Sequence, residues 1–195
     1  MTPLCRHSAQ AALAAVLLCG SLVWAQGEGG GVWVAQAQVK PLWSNPNLQG
    51  RGRLRVWGFH VYDARLWVPP GFDPAQWQKF PHALELDYAR AFKGADIAQR
   101  SLQEIQRQGD IPADLAASWL GLMTALFPDV ASGDEITGFY QPGQGVRFFW
   151  NGRPIGALTD SLLAERFMGI WLSTFTSEPA MRLSLLGLSS PEGRR

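Results

Sequence analysis

The order of the hydrophobic patterns along the chain constrains its fold more than any other feature. Strand-like alternation comes first, two helical stripes follow, strand-like segments return, and two further helical stripes come last. The strand-like segments cover residues 32–39, 53–68, 82–90, 135–140, 146–151 and 153–158, and the helical ones cover residues 96–108, 112–127, 159–172 and 179–186. Asn151-Gly152 is a typical two-residue hairpin turn. Asp96 can cap the first of the helices. The apolar stripes of the first two helices are Ala98, Leu102 and Ile105, and Leu115, Trp119, Leu122 and Leu126. Together these patterns predict an α+β fold with an antiparallel sheet and helices on one of its faces.

The segment at residues 53–68 reads as one strand, with Gly58 marking a bulge or a close backbone approach. Side chains alternate between the two faces of a strand. The face expected toward the helices carries Leu54, Val56, His60, Tyr62, Ala64 and Leu66. Arg53 and Arg55 are expected on the opposite face, because an arginine is rarely buried without a partner.

The first 25 residues have the order of a secretory signal peptide. Arg6 precedes an apolar run of fourteen residues, and Val23 and Ala25 match a signal-peptidase site. The expected organisation is a signal peptide at residues 1–25, a leader at 26–31, one domain at 32–188 and a tail at 189–195. This predicts a periplasmic protein cleaved near Ala25. An uncleaved membrane anchor is the alternative.

Charge and cysteine content argue against several classes of function. Seventeen basic and sixteen acidic residues give a net charge of +1, which offers no electrostatic basis for binding nucleic acid. Cys5 and Cys19 both lie in the predicted signal peptide, so the mature domain is expected to have no disulfide and no thiol nucleophile. His60 and His82 stand without clustered carboxylates, so we expect no metal site, and no sequence motif points to a cofactor.

Two segments of the chain are specific as a pair: LQGRGRLRVWGFHVYDARLWV, residues 48–68, and ERFMGIWLSTFTSEPAMRLSLLG, residues 165–187. Together they resemble the bacterial chalcone isomerase-like proteins, exported relatives of plant chalcone isomerase and of plastid fatty-acid-binding proteins. The resemblance spans about residues 32–188. It implies an open-faced β-sandwich, in which a helical layer covers a large antiparallel sheet and a cleft lies between the two layers.

The resemblance also allows the family's catalytic positions to be checked. The arginine of active members falls at Leu54, and their threonine falls near Tyr62, which keeps a hydroxyl group. Their tyrosine and asparagine fall near Ile97 and Glu104. The resemblance therefore implies that the residues for cyclising a chalcone are missing, and no catalytic residue is assigned.

The leading interpretation is non-catalytic binding of a small apolar or amphipathic molecule, such as a fatty acid, in the sheet–helix cleft. The candidate ligand-binding residues are Tyr62, His60, Leu54 and Trp171. Trp171 and Phe175 are also expected to pack in the core beneath the sheet. An isomerase or lyase that uses Tyr62 and His60 is one alternative, and a protein-interaction module without a small ligand is another.

Overall fold

A single antiparallel sheet of six strands, with four helices against it, forms the core of the computed structural model, which describes residues 45–188. The strands are β1 (Asn47–Val56), β2 (Phe59–Val68), β3 (His82–Tyr88), β4 (Glu135–Gln141), β5 (Gly145–Trp150) and β6 (Arg153–Leu158). Each strand pairs with its neighbour in sequence. The helices are α1 (Gly94–Gln106), α2 (Ala113–Leu126), α3 (Ser161–Leu172) and α4 (Pro179–Leu185). The predicted α+β fold class is confirmed.

Several predicted elements lie outside the described residues. These are the signal peptide at residues 1–25, the leader at 26–31, the strand at 32–39 and the tail at 189–195. Within the described part, a 3-10 helix at Pro74–Lys79 lies between β2 and β3. No helix between residues 45 and 188 is both long enough and apolar enough to cross a membrane.

The segment expected to be one strand is instead a hairpin that turns at Trp57 and Gly58. Both residues have positive φ, 50° and 83° respectively. Val56 pairs with Phe59 across the turn, so β1 and β2 are joined by only two residues. The Asn151-Gly152 turn between β5 and β6 has the same character, with φ of 47° and 81°. The sequence suggested only the second turn, because asparagine adopts positive φ far more readily than tryptophan.

A bulge in β2 decides which side chains face the helices. Leu54 pairs with Tyr62, but Arg55 pairs with His60, so β2 carries one extra residue between the two pairs. Residues directly opposite each other in paired strands share a face. Tyr62 therefore lies on the face of Leu54, whereas His60 lies with Arg55 on the opposite face. The expectation that His60 faces the helical layer is wrong. The turn shifts the alternation of side chains by one residue, and the bulge that shifts it back lies after His60.

The helical layer buries stripes at helical spacing. Ala98, Leu102 and Ile105 are buried on α1, as the sequence predicted. On α2 the buried residues are Ala116, Trp119 and Met123, whereas Leu122, expected in the stripe, is 51% exposed. Asp96 does not cap α1, contrary to expectation. The helix starts at Gly94, whose backbone N–H donates to Asp129 Oδ1 at 2.9 Å.

Helix α4 lies directly on β1. A Cβ atom at Gly50 would collide with the backbone of Ser184 and Leu185, so only glycine permits this approach. The Gln49 side chain donates to the Leu186 carbonyl at 2.8 Å across the same contact. This packing gives a physical reason for the glycine at position 50.

The sheet face away from the helices carries a buried polar cluster. Arg65 forms an ion pair with the fully buried Glu85, which also accepts from Trp67 Nε1 at 3.2 Å. Glu135 is 6% exposed and accepts from the Thr137 hydroxyl at 3.0 Å. Burial and the nearby Glu85 carboxylate raise the pKa of Glu135 to about 7. We therefore expect the stability of this face to depend on pH near neutrality.

Candidate functional site

A cavity of about 790 Å³ lies between the inner face of the sheet and the helical layer. Strands β1 to β5 form one wall, and α1, α3 and the segments that flank them form the other. Its apolar sheet lining includes Leu54, Val61, Leu84, Leu86, Ile136 and Phe148. The volume lies in the range of small-molecule sites.

Aromatic rings build the wall at the α3 side. The centroid of the Phe167 ring lies 5.2 Å from that of Phe148, 5.8 Å from that of Phe127 and 5.5 Å from that of Trp171. The Phe148 and Trp171 contacts are edge-on, which suits rings that pack at this distance. Helix α3 supplies Phe167 and Trp171 one turn apart, so its spacing alone puts both rings on the cavity side.

Tyr62 brings a hydroxyl group into these apolar surroundings. Its oxygen accepts a hydrogen bond from Trp171 Nε1 at 3.0 Å. Burial is the main cause that raises the pKa of Tyr62 well above its ordinary value, so the phenol stays protonated. Among the described residues no acceptor lies in reach of the hydroxyl proton. Tyr62 can therefore donate a hydrogen bond to a molecule in the cavity.

Helix α1 contributes polar groups that the sequence analysis did not select as a set. Arg100 and Glu104 form an ion pair at 2.7 Å, and both line the cavity with Ser101. Glu104 is 6% exposed, whereas the Arg100 side chain is 67% exposed. The pair is four residues apart on the face that continues the apolar stripe. This spacing of opposite charges next to a buried stripe was the signal available in the sequence.

The structure separates the four candidate ligand-binding residues. Leu54, Tyr62 and Trp171 line the cavity, and His60 does not. His60 Nε2 lies 3.3 Å from Asp63 on the other face of the sheet, beside Arg53. Whether the three lining residues bind a ligand stays a prediction, but the Tyr62–His60 pair required for the isomerase alternative does not form.

The two arginines of the first hairpin lie where the sequence placed them. Arg53 donates two hydrogen bonds to Asp63, at 2.6 and 2.9 Å, and Arg55 donates to the Gly58 carbonyl at 3.3 Å. Neither lines the cavity. Phe175 differs from expectation, since it is 62% exposed and does not belong to the core. Phe175 lies in the segment between the end of α3 and the start of α4.

The positions that the resemblance linked to catalysis come together in the cavity wall. Leu54, Tyr62, Ile97 and Glu104 all line it. A leucine and an isoleucine at two of these four positions provide neither charge nor a proton donor. In the described part of the chain, no three His, Cys, Asp or Glu side chains are grouped to hold a metal ion.

The β1–β2 turn borders a mouth of the cavity, because several lining residues there are exposed. Val56, Trp57, Phe59 and Arg90 line the cavity and are also exposed to solvent. The guanidinium carbon of Arg90 lies 4.9 Å from the centre of the Phe59 ring. Sequence reasoning assigned these residues to a strand, so it missed that they surround an opening.

Comparisons with known proteins agree with this architecture. Residues 30–187 match the sequence model of the family described as chalcone isomerase-like. An uncharacterised protein of Haemophilus influenzae is 30% identical over 133 residues, which cover 68% of this chain and 64% of that protein. The match thus spans slightly less than two thirds of the relative. The crystal structure of an Arabidopsis thaliana fatty-acid binding protein superposes with a TM-score of 0.56, at 13% identity, over 74% of this chain and 88% of that one. At this identity the likeness shows the fold alone.

Proposed function

The chain belongs to the chalcone isomerase-like family, and from that premise we propose that it binds one small amphipathic molecule with a long apolar part, without transforming it. The observation that carries the proposal is the cavity of about 790 Å³, with apolar and aromatic walls and the Tyr62 hydroxyl directed into it. Apolar walls with a few placed polar groups are typical of small-molecule sites.

The distribution of polar groups favours an amphipathic ligand over a purely apolar one. Tyr62 offers a hydrogen-bond donor on the sheet side, and Ser101 and the Arg100–Glu104 pair lie on the helix side. The apolar part of the ligand would contact the rings of Phe148, Phe167 and Trp171. Burial of apolar surface would supply most of the affinity, at roughly 25 cal/mol per Å² before the costs of association.

A fatty-acid-like molecule is the class that we favour. The Arabidopsis fatty-acid binding protein supports this class, because its fold superposes on 74% of this chain with a TM-score of 0.56. The residues lining this cavity are compatible with it independently of that likeness. A carboxylate could accept from Tyr62, and Arg100 could exchange Glu104 for the ligand.

The proposal excludes catalysis for a reason of geometry. An enolate or phenolate needs a positioned cation or donor, and Leu54 stands at the family's arginine position. His60, the base of the alternative, is held near Asp63 on the other sheet face. A lyase or isomerase would therefore have to work with other polar lining groups, such as Tyr62, Arg100 and Glu104.

The test is to purify the protein, extract it with organic solvent and identify the released molecules by mass spectrometry. The delipidated protein is then titrated with a fluorescent long-chain fatty acid. We expect one amphipathic molecule per chain and saturable binding of the probe. The variant with both Arg53→Gln and Arg55→Gln is the matched control, because neither side chain lines the cavity and binding should be unchanged. A protein that releases nothing and does not bind the probe would rule out the proposal.

A further inference from the structure

The tip of the β1–β2 hairpin carries a tryptophan that neither turn chemistry nor packing explains. Trp57 has a φ of 50° and is 93% exposed. The left-handed region is unfavourable for a bulky residue, and this type of turn is normally made by asparagine, aspartate or glycine. The β5–β6 turn of the same protein uses Asn151 at the equivalent place, with a φ of 47°. Strain at an exposed aromatic residue points to a role in recognition.

Trp57 is part of a wider exposed apolar surface, which we call the tip patch. It consists of Val56, Trp57 and Phe59, which are 42%, 93% and 59% exposed. All three residues also line the cavity. The tip patch is therefore continuous with the cavity interior, and a molecule leaving the cavity here would cross it.

Two arginines flank the tip patch. Arg90 lies over the Phe59 ring at 4.9 Å, and Arg55 donates to the Gly58 carbonyl at 3.3 Å. Within residues 45–188, neither guanidinium lies within 4.0 Å of a carboxylate. Both are thus available to an external anion, although Asp96 and Glu178 also line the cavity.

We propose that the tip patch, with Arg55 and Arg90, docks on an anionic lipid bilayer, where the cavity takes up or releases its ligand. Exposed tryptophan and phenylalanine insert at the boundary between lipid headgroups and acyl chains, and arginines beside them bind the headgroups. This inference rests on the proposed function, because an amphipathic ligand would move between bilayer and cavity without crossing water. The same contact would bury the Trp57 side chain, which is otherwise exposed to water.

The test uses the delipidated full-length protein and flotation with vesicles. Vesicles of phosphatidylethanolamine and phosphatidylglycerol are compared with vesicles of phosphatidylcholine alone. We expect stronger binding to the anionic vesicles, weakened by salt and not displaced by free inorganic phosphate. Trp57→Asn should reduce binding about tenfold or more, since a large aromatic leaves the interface. It should not unfold the protein, because asparagine suits this turn.

Three further variants make the result specific. Arg55→Gln with Arg90→Gln should remove most of the preference for anionic vesicles. Leu122→Ala should leave vesicle binding unchanged, because it removes an exposed apolar residue of α2 that lies outside the tip patch. Leu122 is 51% exposed, compared with 59% for Phe59. Leu54→Trp narrows the cavity but not the tip patch, so it should lose the fatty-acid probe and still bind vesicles.

The outcomes separate this inference from the proposed function. Probe binding without vesicle binding, or vesicle binding that Trp57→Asn leaves intact, overturns the docking inference alone. Vesicle binding that depends on Trp57 in a protein that never binds the probe supports the docking surface and overturns the proposed function. A Trp57-dependent dimer in solution, without vesicle binding, would assign the tip patch to a protein contact and overturn the lipid inference.

Discussion

Trp171 Nε1 donates a 3.0 Å hydrogen bond to the Tyr62 hydroxyl oxygen, and so connects α3 to β2 at the cavity wall. The bond uses the oxygen as an acceptor and leaves the phenolic proton for a ligand. It also fixes the direction of the ring. Helix and strand thereby orient one polar group inside an apolar space.

Tyr62→Phe should weaken binding of the fatty-acid probe about three- to tenfold, since one hydrogen bond contributes about 0.5–1.5 kcal/mol. Tyr88→Phe is the matched control, because Tyr88 also lines the cavity and is buried, but its hydroxyl has no hydrogen-bond partner among the described residues. Titration of both delipidated variants measures the difference. Equal loss in the two variants would contradict a specific role for the Tyr62 hydroxyl.

Leu54→Trp should abolish saturable probe binding, because the larger side chain extends into the cavity from β1. Leu54→Met keeps nearly the same volume and should bind like the unchanged protein. Thermal unfolding verifies that both variants are folded. Full probe binding by the tryptophan variant would place the ligand elsewhere.

The protein should not cyclise a hydroxylated chalcone above the uncatalysed rate. The loss of a positioned oxyanion donor costs on the order of a hundredfold or more in rate, and Leu54 cannot replace one. Absorbance of the chalcone measures the reaction. A clear rate that disappears in Tyr62→Phe would restore the isomerase alternative.

The free energy of unfolding should fall as the pH rises from about 5 to about 8. The pKa of Glu135 is raised to about 7, so the folded protein keeps a proton that the unfolded chain has already released. Deprotonation then destabilises the folded state, by on the order of 2 kcal/mol. In Glu135→Gln the free energy of unfolding should fall less between pH 5 and pH 8. Urea unfolding at the two pH values measures this difference. Glu165→Gln, at an exposed position on α3, should leave the decrease unchanged.

Export is a separate prediction that depends on the first 25 residues. Protein isolated from the cell envelope should have the intact mass of a chain that begins at Gln26. A full-length species in the cytoplasmic fraction would contradict it. An envelope-bound species with residues 1–25 still attached would support the membrane anchor instead.

Sequence reasoning succeeded where one physical signal dominated. Asn151-Gly152 predicted the β5–β6 turn because both residues suit positive φ, and the stripe at Ala98, Leu102 and Ile105 predicted the buried face of α1. Leu54 and Tyr62 share a face as expected, but for a different reason. The turn at Trp57 shifts the alternation by one residue, and the bulge after His60 shifts it back.

The remaining features depended on contacts that local patterns do not encode. His60 lies between the turn and the bulge, so its face is reversed relative to Tyr62. The bond from Trp171 to Tyr62 joins residues 109 positions apart, and no spacing indicates it. The cavity mouth was missed because tryptophan is not a typical turn residue.

The contact between β1 and α4 has a consequence for the topology of the polypeptide. Gln49 reaches the Leu186 carbonyl at 2.8 Å, so the first strand and the last helix of the described fold are neighbours. A short linker could join them, and the chain could be opened at the exposed Asn151 turn instead. Such a circular permutant would keep every strand pairing except the β5–β6 connection itself. We therefore expect the cavity to persist in such a permutant, because its walls come from the packing of the sheet against the helices.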